Sequence, residues 1–211
     1  MFLKKILSLF GIVVITMFFL SSSCKKDKKI EITPYYLNKE IKDYLDFKPG
    51  SYWIYRDTAT KQEDSVYVFN YRYGISKTPY KSYELEWIHY NQKWKNKEIV
   101  TSIYCADESP PNYCFSTYTN TEATGGGGLH SLLYIDNANT PTNAFEPGAD
   151  LIHYTTIKIL DSTFTDVYFY SASFNGYNLL HGAYFKKHVG IVRMDFMDST
   201  VYELVRYHVL Q

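Results

Sequence analysis

Several absences narrow the chemistry open to this chain. It has no formal net charge, with 22 basic residues against 22 acidic ones, so no basic field draws in nucleic acid. Histidine is sparse and scattered: His89, His130, His153, His181, His188 and His208. No two of them stand at the i, i+2 or i, i+4 spacing of a local ligand pair, so neither a metal site nor a metal cofactor is expected. There is no Gly-x-Ser-x-Gly elbow and no legible Cys-His nucleophile constellation. The glycine run that closes Asn120 to Gly128 is followed by a strand-like Leu129 to Ile135 with no Lys-Ser or Lys-Thr. It reads as a flexible surface loop rather than a phosphate cradle. Glu84 and Glu86 fall on one strand face and read as a solvated pair, not as carboxylates across a cleft. No catalytic residue is assigned, and the chain reads as a non-enzyme without a cofactor.

Long apolar runs are also missing, with one exception. Ile6 to Leu20 is an apolar stretch of fifteen residues behind Lys4 and Lys5. That is short for a spanning helix, which needs about 20 residues. A positive start, a short apolar core and small residues at the end describe an export signal. Cysteine is scarce, at three residues. Cys24 directly follows Ser21-Ser22-Ser23, leaving Cys105 and Cys114. An exported chain meets an oxidising compartment. Pro110-Pro111 lies between two strand-like segments, so a disulfide closing a hairpin is expected. A loop of this size contributes roughly 2–3 kcal/mol on chain-entropy grounds.

What the chain has in abundance is tyrosine. All 22 tyrosines follow the signal segment, whereas four of the 13 phenylalanines lie inside it. Tyrosine suits a pleated, half-buried surface, so the load reads first as cross-strand packing. The competing reading is an aromatic binding face for glycan, peptide or lipid, with Trp87 and Trp94 as candidate binding aromatics.

Along the chain, Asn38 to Phe47 has helical spacing at Leu37, Ile41, Tyr44 and Leu45, with Asn38 as cap and Pro49-Gly50 as stop. From Ser51 the period becomes 2. Tyr67, Phe69, Tyr71 and Tyr73 alternate against Asn70 and Arg72. The expectation is an all-β domain: an antiparallel curved sheet or partly closed barrel of about 9–11 strands, with a β-sandwich as the alternative. The division reads as residues 1–23 signal, 24–34 lipidated cysteine and polar tether, and 35–211 one β-rich domain.

Leu20-Ser-Ser-Ser-Cys24 resembles a bacterial lipobox, with Ser21 where a Leu is usual. The resemblance implies cleavage before Cys24 and lipidation of its sulfur. Cys24-Lys-Lys-Asp-Lys-Lys29 looks like the tether of a Bacteroidota lipoprotein. Phe47-Lys-Pro-Gly-Ser-Tyr-Trp-Ile-Tyr55 resembles the opening of many uncharacterised lipoproteins of that group. Val189-Gly-Ile-Val-Arg-Met194 and Tyr202-Glu-Leu-Val-Arg-Tyr207 resemble their closing strands. These motifs imply a fold group and an outer-membrane anchor, periplasm-facing on the basic tether, with the cell surface as the alternative. They imply no chemistry. Asp57-Thr58, Asp64-Ser65, Asp161-Ser162 and Asp198-Ser199 resemble the O-glycosylation sequon of the same group. They make Thr58, Ser65, Ser162 and Ser199 candidate sites, although Asp-Ser and Asp-Thr are also good turn formers. The expected role is a non-catalytic binding or structural module of the envelope. Alternatives are an acyl-chain carrier and a glycan-binding component. Partners are the membrane through the anchor, and a glycan, a lipid or an envelope protein.

Overall fold

The computed structural model describes residues 32–77, 83–94, 97–105, 113–120, 130–136, 138–143, 149–171 and 180–211. Cys24, its signal and most of the tether lie outside the described residues, as do residues 121–129 of the glycine loop. Among the described residues there are thirteen strands and one helix, α1 (Lys39–Leu45). The strands are β1 (Thr33–Tyr35), β2 (Tyr52–Asp57), β3 (Glu63–Lys77), β4 (Tyr83–Trp94), β5 (Lys97–Cys105), β6 (Tyr113–Asn120) and β7 (His130–Asp136). They continue as β8 (Pro141–Thr142), β9 (Asp150–Ile159), β10 (Ser162–Ser171), β11 (Leu180–Lys186), β12 (Gly190–Phe196) and β13 (Val201–His208). The count exceeds the expected 9–11 because β1 begins inside the stretch read as tether, and because the two-residue β8 contains Pro141, a residue that argues against a strand.

Twelve strands form one antiparallel sheet that is nearly closed and barrel-like. Its order is β8-β7-β6-β5-β4-β3-β2-β13-β12-β11-β10-β9. Each neighbour is a hairpin partner except β2 and β13, which join the first and last strands of the meander. The opening therefore falls in mid-chain, between β8 and β9. There the Tyr134 and Tyr170 rings meet at 6.1 Å, so β7 and β10 touch although no ladder links β8 to β9. Strand β1 pairs in parallel with Tyr83–Leu85 of β4, just beyond where β5 ends.

Helix α1 closes one end. The Asn38 side chain accepts from the Ile41 amide at 2.9 Å, satisfying one of the helix's free N–H groups. Leu37, Ile41, Tyr44 and Leu45 all turn inward and are buried. The helix is tied on several sides. Lys187 bridges to Glu40 at 2.6 Å, and the His188 amide donates to the Asp43 carbonyl at 2.7 Å. Just beyond, the Lys48 amide donates to the Leu210 carbonyl at 2.8 Å. Gly50, at φ +99, makes the turn into β2, a conformation that side chains disfavour.

The interior is filled by side chains. Trp53 is buried, packs edge-on to Phe47 at 4.9 Å and donates from its indole to the Val189 carbonyl. Tyr55 donates to the Ile191 carbonyl at 2.8 Å. Each large side chain buried in this way contributes roughly 1.5–3 kcal/mol. A cavity of about 20 Å³ remains beside Trp53, Tyr90, Gln92, Thr101 and Ser116. That is room for about one water molecule.

Two strand faces differ from the sequence expectation. On β3, Tyr67 and Tyr71 do not share a face. A bulge at Phe69 separates the Val68–Gln92 and Asn70–Asn91 pairs and flips the alternation. Tyr67 and Phe69 point out, whereas Tyr71 turns back to bond Asp46 and Lys48. On β4, Glu86 is not solvated: it is 3% exposed and lies on the inward face with Ile88 and Tyr90. Lys42 reaches one carboxylate oxygen at 2.7 Å and the Leu37 amide donates to the other. The helix segment thus supplies the charge and the donor that a buried carboxylate requires.

Candidate binding face on strands β2–β5

The register of the sheet sorts the outward side chains into rows. One row crosses β3, β4 and β5 as Gly74, Trp87 and Tyr104, and continues to Phe115 on β6 and Tyr134 on β7. Trp87 is half-buried and its indole lies over Gly74, where a Cβ would overlap the ring. The Tyr104 and Phe115 rings meet edge-on at 4.3 Å, and Phe115 and Tyr134 stack at 5.6 Å. The next row is Arg72, His89 and Ser102. His89 Nδ1 lies 2.7 Å from Ser102 Oγ, and its ring lies 4.6 Å from that of Trp87. Burial, and secondarily the nearby Arg72 guanidinium, pull the His89 imidazole below its ordinary pKa.

Farther along the same face, His208, Tyr52, Tyr67 and Lys93 form another row. Here the rings are open to solvent, Tyr52 at 38%, Tyr67 at 45% and Phe69 at 45%. Trp87 and Lys93 are six residues apart on β4, a span of roughly 20 Å along a strand. Between the two aromatic ends lie Asn70, Asn91, Arg72 and His89. Arg72 and Lys93, and Arg206 at the margin, have no ion-pair partner among the described residues. The described side chains of these rows include no carboxylate. Glu98 holds the register position beside Lys93, and its side chain lies outside the described residues.

The outward row that starts on β10 and ends at the margin of this face is organised differently. Phe169, Tyr184, Arg193, Glu203, Arg56 and Glu63 form one row from β10 through β13 and β2 to β3. Arg193 bonds Asp195 at 2.7 Å and Glu203 at 3.4 Å, and stands 5.2 Å from the Tyr184 ring centre. Arg56 bonds Glu63 at 2.8 Å. Burial, with Asp195 adding to it, pushes the Tyr184 phenol up to about 12. This row neutralises itself.

The remaining sequence candidates are dispersed. Cys105 and Cys114 form the expected disulfide, directly opposite each other on β5 and β6. Trp94 ends β4, and its side chain lies outside the described residues. Thr58 is half-buried in the β2–β3 turn, and its amide donates to the Val201 carbonyl. Ser65, Ser162 and Ser199 are exposed, but Ser65 sits within β3 rather than in a turn. Among the described residues no group of three or more His, Cys, Asp or Glu could hold a metal ion. The Ser102–His89 contact has no carboxylate bonded to the imidazole among the described residues, as an oriented nucleophile–base pair requires.

No family model matches this chain. Nor does any curated protein or solved structure. Function rests on this geometry and on the sequence. Sequence reasoning reached Trp87 but missed Tyr52, Tyr67, Tyr104 and Arg72. Their common face becomes legible only once the Phe69 bulge fixes the register of β3 against β4.

Proposed function

We propose that this protein is a non-catalytic binding module of the bacterial envelope. Lipid on Cys24 holds it at the outer membrane, facing the periplasm, and its ligand is engaged on the outer surface of the barrel. The observation that carries this reading is the contrast between a filled interior and exposed rings on strands β2 and β3. The cavity beside Trp53, about 20 Å³, has no room for an acyl chain, so it gives the carrier alternative no support. The outside, where Tyr52, Tyr67 and Phe69 stand open, is the surface this reading offers to a ligand. The disulfide agrees with an oxidising compartment. One acyl chain binds a membrane only marginally and two hold it stably, so the anchor requires full lipidation at Cys24.

Two measurements test the reading. Cys24→Ala is expected to release the chain from the membrane fraction or to stall its processing; normal cleavage with retained membrane binding removes the anchor. Glycomic, lipidomic and proteomic profiling of the chain isolated from its native envelope is expected to find a bound glycan or protein. A stoichiometric acyl chain would favour the carrier instead. Sugar on Thr58, Ser65, Ser162 or Ser199 is checked in the same preparation by intact mass, which should exceed polypeptide plus lipid.

A further inference from the structure

We infer that the outward face of β2–β5 binds an extended acidic oligosaccharide. The inference rests on the binding-module reading and names its ligand. Three features of the face point to this class. First, rings stand at both ends: Tyr52, Tyr67 and Phe69 at one, Trp87 and Tyr104 at the other. The apolar C–H faces of pyranose rings pack on such flat, amphipathic surfaces. Second, the span from Trp87 to Lys93 is roughly 20 Å. That is too long for one monosaccharide and suits a chain of several. Third, Arg72 and Lys93 lie between or beside the rings without an ion-pair partner among the described residues, and Arg206 borders them. In the row that runs from Phe169 on β10 to Glu63 on β3, by contrast, both arginines have their carboxylates. A guanidinium beside aromatic rings, with no ion-pair partner among the described residues, is complementary to a planar carboxylate carried on a sugar. It can hold that group through paired N–H donors. The interleaved Asn70 adds an amide group suited to ring hydroxyls.

The rings set the ligand's shape and the cations set its charge, so the two can be separated. Titration calorimetry of the purified full-length chain would use tetragalacturonate, its fully methyl-esterified form, a glucuronate tetramer, a sulfated galactan tetramer and oligoglutamate. At least one acidic oligosaccharide is expected to bind. Esterification should weaken tetragalacturonate, if that is the ligand bound, by about tenfold or more, as should Arg72→Ala, because each removes a charge-assisted contact. Trp87→Ala should weaken it comparably. Gly74→Ala, which pushes the indole off its seat without deleting it, should also weaken binding. Arg193→Ala, on the self-neutralised face, should leave binding unchanged. Binding of the ester as tight as the acid overturns the charge assignment. Binding of oligoglutamate as tight as the sugars overturns the glycan assignment. Affinity unmoved by both Arg72→Ala and Trp87→Ala overturns the face, and no binding to any acidic oligosaccharide overturns the proposal as a whole. The module reading fails separately, when the chain from its native envelope carries neither a glycan nor a protein. A neutral glycan or a protein found there keeps the module and removes the acidic ligand.

Discussion

The outward face of β10–β13 and the outward face of β2–β5 are built from the same kinds of residue and end in different states. Each has an aromatic ring seated over a cross-strand glycine, Phe169 over Gly182 and Trp87 over Gly74. Each carries arginine in a register row. On the first face Phe169 and Tyr184 are buried, and Arg193 is held by Asp195, Glu203 and the Tyr184 ring. On the second, Trp87 is half-buried, Arg72 has no ion-pair partner among the described residues, and Tyr67 and Phe69 are open. The difference teaches that a tyrosine-rich composition does not by itself mark a binding surface. Rings whose neighbouring charges are neutralised within the sheet serve the fold. Rings beside cations that have no ion-pair partner among the described residues are the ones the proposal gives to a ligand.

On the second face the described ion pairs lie at its margins, Arg56–Glu63 and Lys77–Glu84, and covalent support comes from Cys105–Cys114 at the ends of β5 and β6. Replacing both cysteines by alanine should cost about 2–3 kcal/mol, read by denaturant unfolding. An unchanged midpoint would mean that this half does not depend on the bond.

The two glycines give a matched pair. Gly182→Ala should cost about 1–3 kcal/mol, because Phe169 is buried and the Tyr170 carbonyl also closes in. Gly74→Ala should cost less, since the half-exposed indole can swing toward solvent. Its fluorescence should shift to the red. Equal losses would erase the distinction between the faces.

His89 reports on the Arg72 charge. Its folded pKa lies below the ordinary value, chiefly through burial and then through Arg72. Below about pH 6.5 the unfolded chain therefore binds the proton more readily. This contribution to stability is full above that pH. It declines as the pH falls toward the folded pKa, then levels off. His89→Gln should flatten the decline. In an NMR titration, Arg72→Ala should move the His89 pKa part of the way back up; no movement would mean that the guanidinium is screened or neutralised by another group.

Much of the fold was legible in the chain. The α1 cap at Asn38, the turn at Pro49-Gly50, the disulfide and the barrel-like β class all follow from local patterns, although the helix ends at Leu45, before that turn. Three features were not. The β2–β13 pairing joins strands about 150 residues apart, and no local signal specifies it. The Phe69 bulge shifts alternation by one, and nothing in Tyr67-Val-Phe-Asn-Tyr71 separates it from a regular strand. Glu86 looks solvent-facing in its own strand and is inward because Lys42, 44 residues earlier, meets it. The candidate face depends on the bulge, so its aromatic and cationic members could not be grouped from sequence alone.

The most direct test of the central claim compares Arg193→Ala with Arg72→Ala, measuring the unfolding midpoint and the affinity for the tightest-binding acidic oligosaccharide in both. Arg193→Ala should lose about 1–2 kcal/mol of stability through its ion pairs and ring contact and keep its affinity. Arg72→Ala should stay within about 0.5 kcal/mol in stability and lose about tenfold or more in affinity. Loss of stability in Arg72→Ala as large as in Arg193→Ala, or loss of affinity shared equally by the two, would contradict the account.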